Sequence, residues 1–391
     1  MVSARVLGLL AAGVILAGCG AAAPRGSLEG GQSAGAAPAL SVAGTAPRGF
    51  QAVDLSWISD DQGWALGVDP GCSGQRCATV LETTDGGRGW VTVTDLHACL
   101  LEAAPVGCPA GVTEVSSIRF ASPDVGYAFS IDGGPYLQTA NGGLTWTLQP
   151  GREVSAIKVA AGTAVRASFS KGGCPGPCDW SVDEAALGSD SWRTILIPPA
   201  AVNHGRVVLL HQGPEYLYVA FLGAPDAGSW TAPAQLFVSS DAGATWAQLA
   251  DPCARLRPGE VATTFASAPG GVLAALCAAR GRLGGQFVTI STDAGADFGP
   301  PRQLPTGPGA YTELALTGPQ AVFAAVAGRQ LVGTVNGGHS WRVLARAPAV
   351  PGAPVPVFLG FESPTVGRWI ASGSALWSTA DSGASWHRGR F

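Results

Sequence analysis

Charge is scarce in this sequence. Asp, Glu, Lys and Arg make up 13% of its 391 residues, and lysine occurs only at Lys158 and Lys171. Beside 47% hydrophobic residues, so low a charged fraction excludes a disordered chain, because ample apolar surface offsets the entropy of ordering. The formal net charge is -4 and the 23 basic residues are scattered, which leaves nucleic acid no electrostatic footprint. The five histidines (His97, His204, His211, His339, His387) stand apart, so they imply neither a metal site nor catalysis, and no cofactor is expected. Glycine and proline are abundant instead, at 56 and 29, and point to many turns.

The first 18 residues read as an export signal. Arg5 is a short basic start, Val6 to Ala12 open an apolar stretch too short to span a bilayer comfortably, and "LAGC" (Leu16 to Cys19) closes it. This resembles the lipobox of bacterial lipoproteins, which implies that Cys19 is lipidated and becomes the mature N-terminus. Residues 19–48 are then the lipidated Cys and a flexible Ala/Gly/Pro/Ser tether. Acyl chains on Cys19 would hold the protein at the extracytoplasmic face of the cell membrane.

Eight further cysteines, an even number in an exported chain, favour disulfides over metal. Connectivity is not fixed by sequence, but spacing suggests Cys72–Cys77, Cys99–Cys108, Cys174–Cys178 and Cys253–Cys277. For "CPGPC" at 174–178 zinc is the competitor, and four convergent ligands are lacking nearby.

One short stretch recurs: "ETTDGGRGW" (82–90), "QTANGGLTW" (138–146), "VSSDAGATW" (238–246), "ISTDAGADF" (290–298), "GTVNGGHSW" (333–341) and "STADSGASW" (378–386). Aligned on Asp85, Asn141, Asp241, Asp293, Asn336 and Asp381, the copies leave one double interval, and "ALGSDSWRT" fills it with Asp190 and Trp192. Seven units at a period of this kind mean a solenoid, propeller or array. Upstream of each box lies a second landmark, an apolar strand, a short turn and another strand, as in "LSWISDDQGWALG" (55–67) and "IRFASPDVGYAFS" (118–130). Each unit therefore predicts a four-stranded blade, and the whole an all-β, seven-bladed propeller over 49–391 that is expected to be monomeric. In each box the Asp or Asn can accept backbone amide bonds, the Gly permits positive φ, and the aromatic residue is available for burial. One carboxylate or amide per box is too few for calcium, so the boxes are read as structural.

The repeat resembles the Asp-box, or bacterial neuraminidase repeat. With its paired landmarks, the chain is more similar to the photosystem II assembly-factor type of propeller than to sialidases. The resemblance implies the fold strongly and function weakly, since one fold hosts many activities.

Alternating strands put the boxes on one face and the 2–3 loops and blade links on the other. All four suggested disulfides fall on that opposite face, which related enzymes also use. Braced loops there suit a preorganised binding surface. Arg76, Lys171, Trp180, Arg255, Arg257, Arg280 and Arg282 are the candidate contacts, with "RLR" and "RGR" meeting as a basic patch if Cys253 bonds Cys277. The expected role is a non-catalytic binding, scaffold or assembly-factor-like module for an envelope protein. The alternatives are a sialidase-like glycoside hydrolase and a wall-polysaccharide binder using Trp180 or Tyr311. Against hydrolysis, "RGFQAVDLSW" stands where sialidases carry Phe/Tyr-Arg-Ile-Pro, and Asp95, Glu102, Asp183, Glu184 and Glu215 form no evident catalytic pair. There is also room for one propeller, where the two-domain xyloglucanases use two.

Overall fold

The computed structural model describes residues 44–391, apart from 72–77, 101–107, 161, 171–176, 200–201, 204, 213–214, 224, 227–228, 231–232, 280–284, 351–355, 357 and 373–374. Seven antiparallel sheets form the seven blades of a propeller. From inside to outside, blade 1 is Gln51–Trp57, Gly63–Val68, Ala78–Thr83 and Val91–Asp95, and blade 2 is Ser117–Phe120, Gly126–Phe129, Tyr136–Thr139 and Thr147–Gln149. Blade 3 runs Glu153–Ala160, Thr163–Phe169, Ser181–Ala186 and Arg193–Leu196, and blade 4 runs Val207–Gln212, Tyr216–Phe221, Gln235–Ser239 and Ala247–Leu249. Blade 5 is Glu260–Ala268, Val272–Ala279, Phe287–Ser291 and Arg302–Gln303. Blades 6 and 7 complete the ring as Glu313–Leu316, Val322–Val326, Gln330–Thr334, Arg342–Arg346, and Leu359–Phe361, Gly367–Ala371, Ala375–Thr379, His387–Arg390.

Burial explains the strand chemistry. The second strands, such as "GWALGV" and "VLAALCAA", are almost wholly buried because a neighbouring blade covers each face. Outer strands such as "TLQ" and "AQL" are polar and largely exposed. Between blades the cores are aromatic: Trp64 of blade 1 stacks on Phe120 of blade 2 at 3.8 Å between ring centroids.

The repeated hairpin is built alike in six blades. In the last of them Thr379 Oγ1 donates to Asp381 Oδ1 at 2.8 Å and accepts from Gly383 N at 3.0 Å, while Asp381 Oδ1 accepts from Ser385 N at 2.9 Å. The residue after the Asp or Asn is left-handed even where it is Ala242, Ala294 or Ser382, with φ of 56°, 60° and 58°. Its N–H donates to a carbonyl of the same blade's 1–2 turn, as Gly86 does to Asp61 at 2.8 Å and Ser382 to Thr365 at 2.9 Å. That bond ties both turns of a blade together on one face.

Blade 3 departs from the expectation. Asp190 is exposed and accepts none of these bonds among the described residues. The glycine of this turn, Gly188, precedes the Asp instead of following it, so the box ring cannot close. Blade 2 holds the turn instead: Gly188 N donates to Tyr127 Oη at 3.2 Å and Gln138 Nε2 donates to Gly188 O at 3.1 Å. Trp192 still packs inward, donating to Tyr136 Oη at 3.1 Å.

The stretch read as a tether differs at its end. Gly44–Thr45 adds a fifth strand outside blade 1, pairing with Thr92 and Val91, because two extended residues satisfy an otherwise open edge. Residues 1–43, including Cys19, lie outside the described residues.

Candidate functional site

The inner strands ring a central channel, and their few charged residues turn into it or into the blade seams. Asp54 sits at the first seam, buried. Its Oδ1 accepts from Leu55 N at 2.9 Å, and its Oδ2 accepts from Ile118 N at 3.0 Å and from Arg119 at 2.6 Å. Ser56 Oγ accepts from Phe120 N at 2.6 Å beside it. Blades 1 and 2 are therefore stitched together by side chains where no backbone ladder can run.

Towards the face opposite the boxes the channel widens into a cavity of about 210 Å³, lined among others by Arg119, Ser155, Lys158, Arg206, Thr264 and Glu313. A second cavity of about 370 Å³ lies at the box face, where His211, Gln212 and the 1–2 turn of blade 7 border it. Lys158, Leu210, Phe265, Leu314 and Leu359 line both and mark the waist.

The electrostatics of this channel follow from burial. Desolvation pulls the Lys158 ammonium down to about 8, with Arg119 adding to the effect and Asp54 opposing it. Burial lowers Arg206 too, against the pull of Glu313 and Asp132. Burial drives Glu313 well above the usual carboxylate range despite Arg206, which favours its protonated, donor-capable form. His211 is held down by burial and by Lys158. Among the described residues, neither Lys158 nor Arg206 has an ion-pair partner within 4.0 Å. Both Glu313 oxygens and Ser155 Oγ are buried without a hydrogen bond. No three His, Cys, Asp or Glu side chains among the described residues gather to hold a metal.

On the opposite face two of the suggested disulfides are present, Cys99–Cys108 and Cys253–Cys277. Cys178 is also disulfide-bonded, while Cys72, Cys77 and Cys174 lie outside the described residues. Cys253 lies in the first turn of a short helix, Pro252–Leu256, whose cap Asp251 is buried. The Asp251 carboxylate accepts from Cys253 N at 2.8 Å, Ala234 N at 2.7 Å and Ala262 N at 3.1 Å. One carboxylate thus gathers three segments beside the disulfide.

The contacts expected from sequence are only partly placed there. Arg76, Arg280 and Arg282, with Lys171, lie outside the described residues. Arg255 is exposed and faces Asp297 at 3.6 Å, and Arg257 stacks over Phe287 at 4.7 Å. Trp180 is a correction: it is 2% exposed, wedged between Phe169 and Phe221 at 4.8 and 5.5 Å, because the blade 3–blade 4 core takes its large apolar ring. Tyr311 is likewise buried, its hydroxyl donating to Pro305 O at 3.1 Å and accepting from Gln330 Nε2 at 3.1 Å. Neither ring is open for sugar stacking. Of the weighed carboxylates, Asp95 accepts from Thr79 at 2.7 Å, Asp183 pairs with Arg166 at 3.1 Å, and Glu184 pairs with Arg193 at 2.7 Å; Glu102 lies outside the described residues.

The channel charges were not singled out from sequence, yet a signal was there. In the aligned landmarks the second position reads Ser56, Arg119, Lys158, Thr264, Ala315 and Gly360, between columns that are almost entirely apolar. That column supplies Arg119, Lys158 and Thr264 to the channel, beside Leu314 and Leu359 of the first column and Phe265 of the third.

No family model and no curated protein matches the chain. Solved structures do. YCF48 bound to D1 peptide is 17% identical, covering 86% of this chain and 92% of that one at a TM-score of 0.48. YCF48 from Cyanidioschyzon merolae is 14% identical over 85% and 94%, with a TM-score of 0.49. An ancestral GH74 enzyme is 14% identical with a TM-score of 0.55, and the match covers 89% of this chain but 46% of that enzyme. At such identities the likeness concerns the propeller fold alone.

Proposed function

We propose that this chain is a lipid-tethered, extracytoplasmic β-propeller that docks another envelope protein on the face opposite its boxes, without transforming it. The observation that carries the reading is covalent bracing of that face: Cys99–Cys108 pins the link from blade 1 to blade 2, and Cys253–Cys277 pins the link from blade 4 to blade 5. Loops fixed in advance lose less conformational entropy on binding, so the same contacts yield more affinity. The channel's chemistry agrees with binding. A glycosidase needs two carboxylates flanking its substrate. Here both Asp54 oxygens are taken by donors, and Glu313 is the single acidic side chain lining the opposite-face cavity among the described residues. The membrane tether through Cys19 belongs to the same proposal and rests on the "LAGC" motif.

A photo-crosslinking amino acid placed at exposed Ala110, in the braced link, tests the docking face against one placed at exposed Arg88, in a box turn. A defined protein adduct from position 110 and none from 88 is expected in the intact envelope. Adducts from 88 alone would reverse the face. Hydrolysis of a wall glycan by the purified chain would replace the binding reading with the enzymatic one.

A further inference from the structure

Among the described residues, the opposite-face cavity is lined by two cations, Lys158 and Arg206, that have no ion-pair partner within 4.0 Å. Lys158 comes from the inner strand of blade 3 and Arg206 precedes that of blade 4, and each feels the cost of desolvation. Arg119, on the same wall, is already engaged by Asp54 at 2.6 Å. Both side chains are half-buried, and charges drawn partly out of water without a close counter-charge are unfavourable unless something compensates them. The one acidic side chain in the lining among the described residues, Glu313, attracts Arg206 but makes no hydrogen bond to either cation.

The polar groups around them are buried without hydrogen bonds. Ser155 Oγ is 2% exposed by residue and unpartnered, and Glu313 is 7% exposed with both oxygens unpartnered. A native structure rarely leaves buried polar atoms unsatisfied, so each asks for a partner. Two cations, a hydroxyl and a carboxyl that favours its protonated form all line one space of about 210 Å³. Pockets for drug-sized ligands hold roughly 300–1,000 Å³, so this one suits a small group.

We propose that the channel is a binding site for a small oxyanion, a carboxylate or a phosphate monoester, neutralised by Lys158 and Arg206 and oriented by Ser155 and Glu313. The site goes beyond partner docking and does not depend on it, since the ligand is a free small molecule inside the ring. Charge-assisted bonds to the two cations supply the affinity. The hydroxyl and the carboxyl add donors that direct where the oxygens point.

Calorimetric titration of the full chain with inorganic phosphate, and separately with acetate, at low salt tests this. One saturable site per chain is expected for at least one of them, the tighter anion naming the ligand class. Lys158→Met and Arg206→Met should each weaken it by about tenfold or more, the loss of one charge-assisted bond. Ser155→Ala should weaken it less, and Arg88→Ala, exposed in the box turn of blade 1, should leave it unchanged. Circular dichroism confirms that each variant is folded. Should Arg206→Met not fold, Lys158→Met and Ser155→Ala carry the test. The proposal is overturned if neither anion saturates the wild type, as when water alone solvates the cations. It is overturned equally if binding survives both channel substitutions, or disappears in Arg88→Ala while persisting in Lys158→Met. Loss of the position-110 adduct with anion binding intact would count against docking only, so the two failures are distinguishable.

Discussion

Gly383 holds φ at +83°, and a Cβ built on it would lie 2.2 Å from Phe323 Cζ of the preceding blade, whereas Gly270 holds the same φ with open space around it. Gly270→Ala should therefore cost only the left-handed penalty, about 1–2 kcal/mol. Gly383→Ala should add an overpacking cost of about 1–3 kcal/mol on top. Urea denaturation of both variants separates the two causes, and equal losses would contradict the inter-blade contact. The box carboxylate offers a pH test. Ser385, through its side chain and amide, with Thr379, holds Asp381 down to about 2 from an ordinary 3.8. A lowered folded-state value means stability that is full above about pH 3.8 and lost as pH falls through about 2. Asp381→Asn keeps the acceptor, as Asn141 and Asn336 do in their own turns, and should flatten stability in that window. The effect should be small, since the group is exposed. These box roles were legible from residue type alone because every bond involved is local. The burial of Trp180 was not legible, because the rings covering it, Phe169 and Phe221, come from other strands.

At the scale of elements, the link between blades 4 and 5 depends on a cross-link spanning 24 residues, Cys253–Cys277. Loop-closure entropy for that span predicts that Cys253→Ser/Cys277→Ser loses about 3 kcal/mol in chemical denaturation under oxidising conditions. An unchanged midpoint would mean that Asp251 and its three amide bonds already fix the link. Blade boundaries followed from sequence because the landmark and the box recur at opposite ends of each sheet, so strand count and order needed no tertiary information. Blade 3 shows the limit of that reasoning. Its Asp and Trp stand at the right interval, yet displacement of the glycine to position 188 hands the turn to Tyr127 and Gln138 of blade 2. A local pattern cannot reveal a neighbour that substitutes for it.

For the whole molecule, the question is how the ring closes. Among the described residues each blade comes from one continuous stretch, and no strand exchanged between the ends of the chain locks blade 7 to blade 1. Side chains do it instead. Arg368 of blade 7 lies 3.4 Å over the Trp57 ring, donates to Asp60 O at 2.7 Å, and pairs with Glu362 at 2.6 Å. Phe391 packs between Phe50 and Trp90 at 5.8 and 5.1 Å. Arg368→Ala leaves Glu362 buried without its partner and should cost about 3–5 kcal/mol. Hydrogen exchange should then quicken first in blades 1 and 7, and uniform quickening would place the weak point elsewhere. Burial, against the pull of Arg368, raises Glu362 from 4.5 to about 7. A raised folded-state value gives stability that is full below about pH 4.5 and lost as pH rises through about 7. Glu362→Gln should flatten that slope in thermal melts.

The sequence by itself determined the seven blades and the face carrying the boxes, because each depends on spacing along one hairpin, and it suggested without fixing the two disulfide pairings that the structure shows. Only the tertiary structure decided which residues face the axis together. Asp54, Arg119, Lys158, Arg206 and Glu313 are far apart in the chain, and each alone is an ordinary charge in or beside an apolar strand. Closing the ring brings Arg119, Lys158, Arg206 and Glu313, from four different blades, around one cavity of about 210 Å³, a juxtaposition that no stretch of the chain shows by itself.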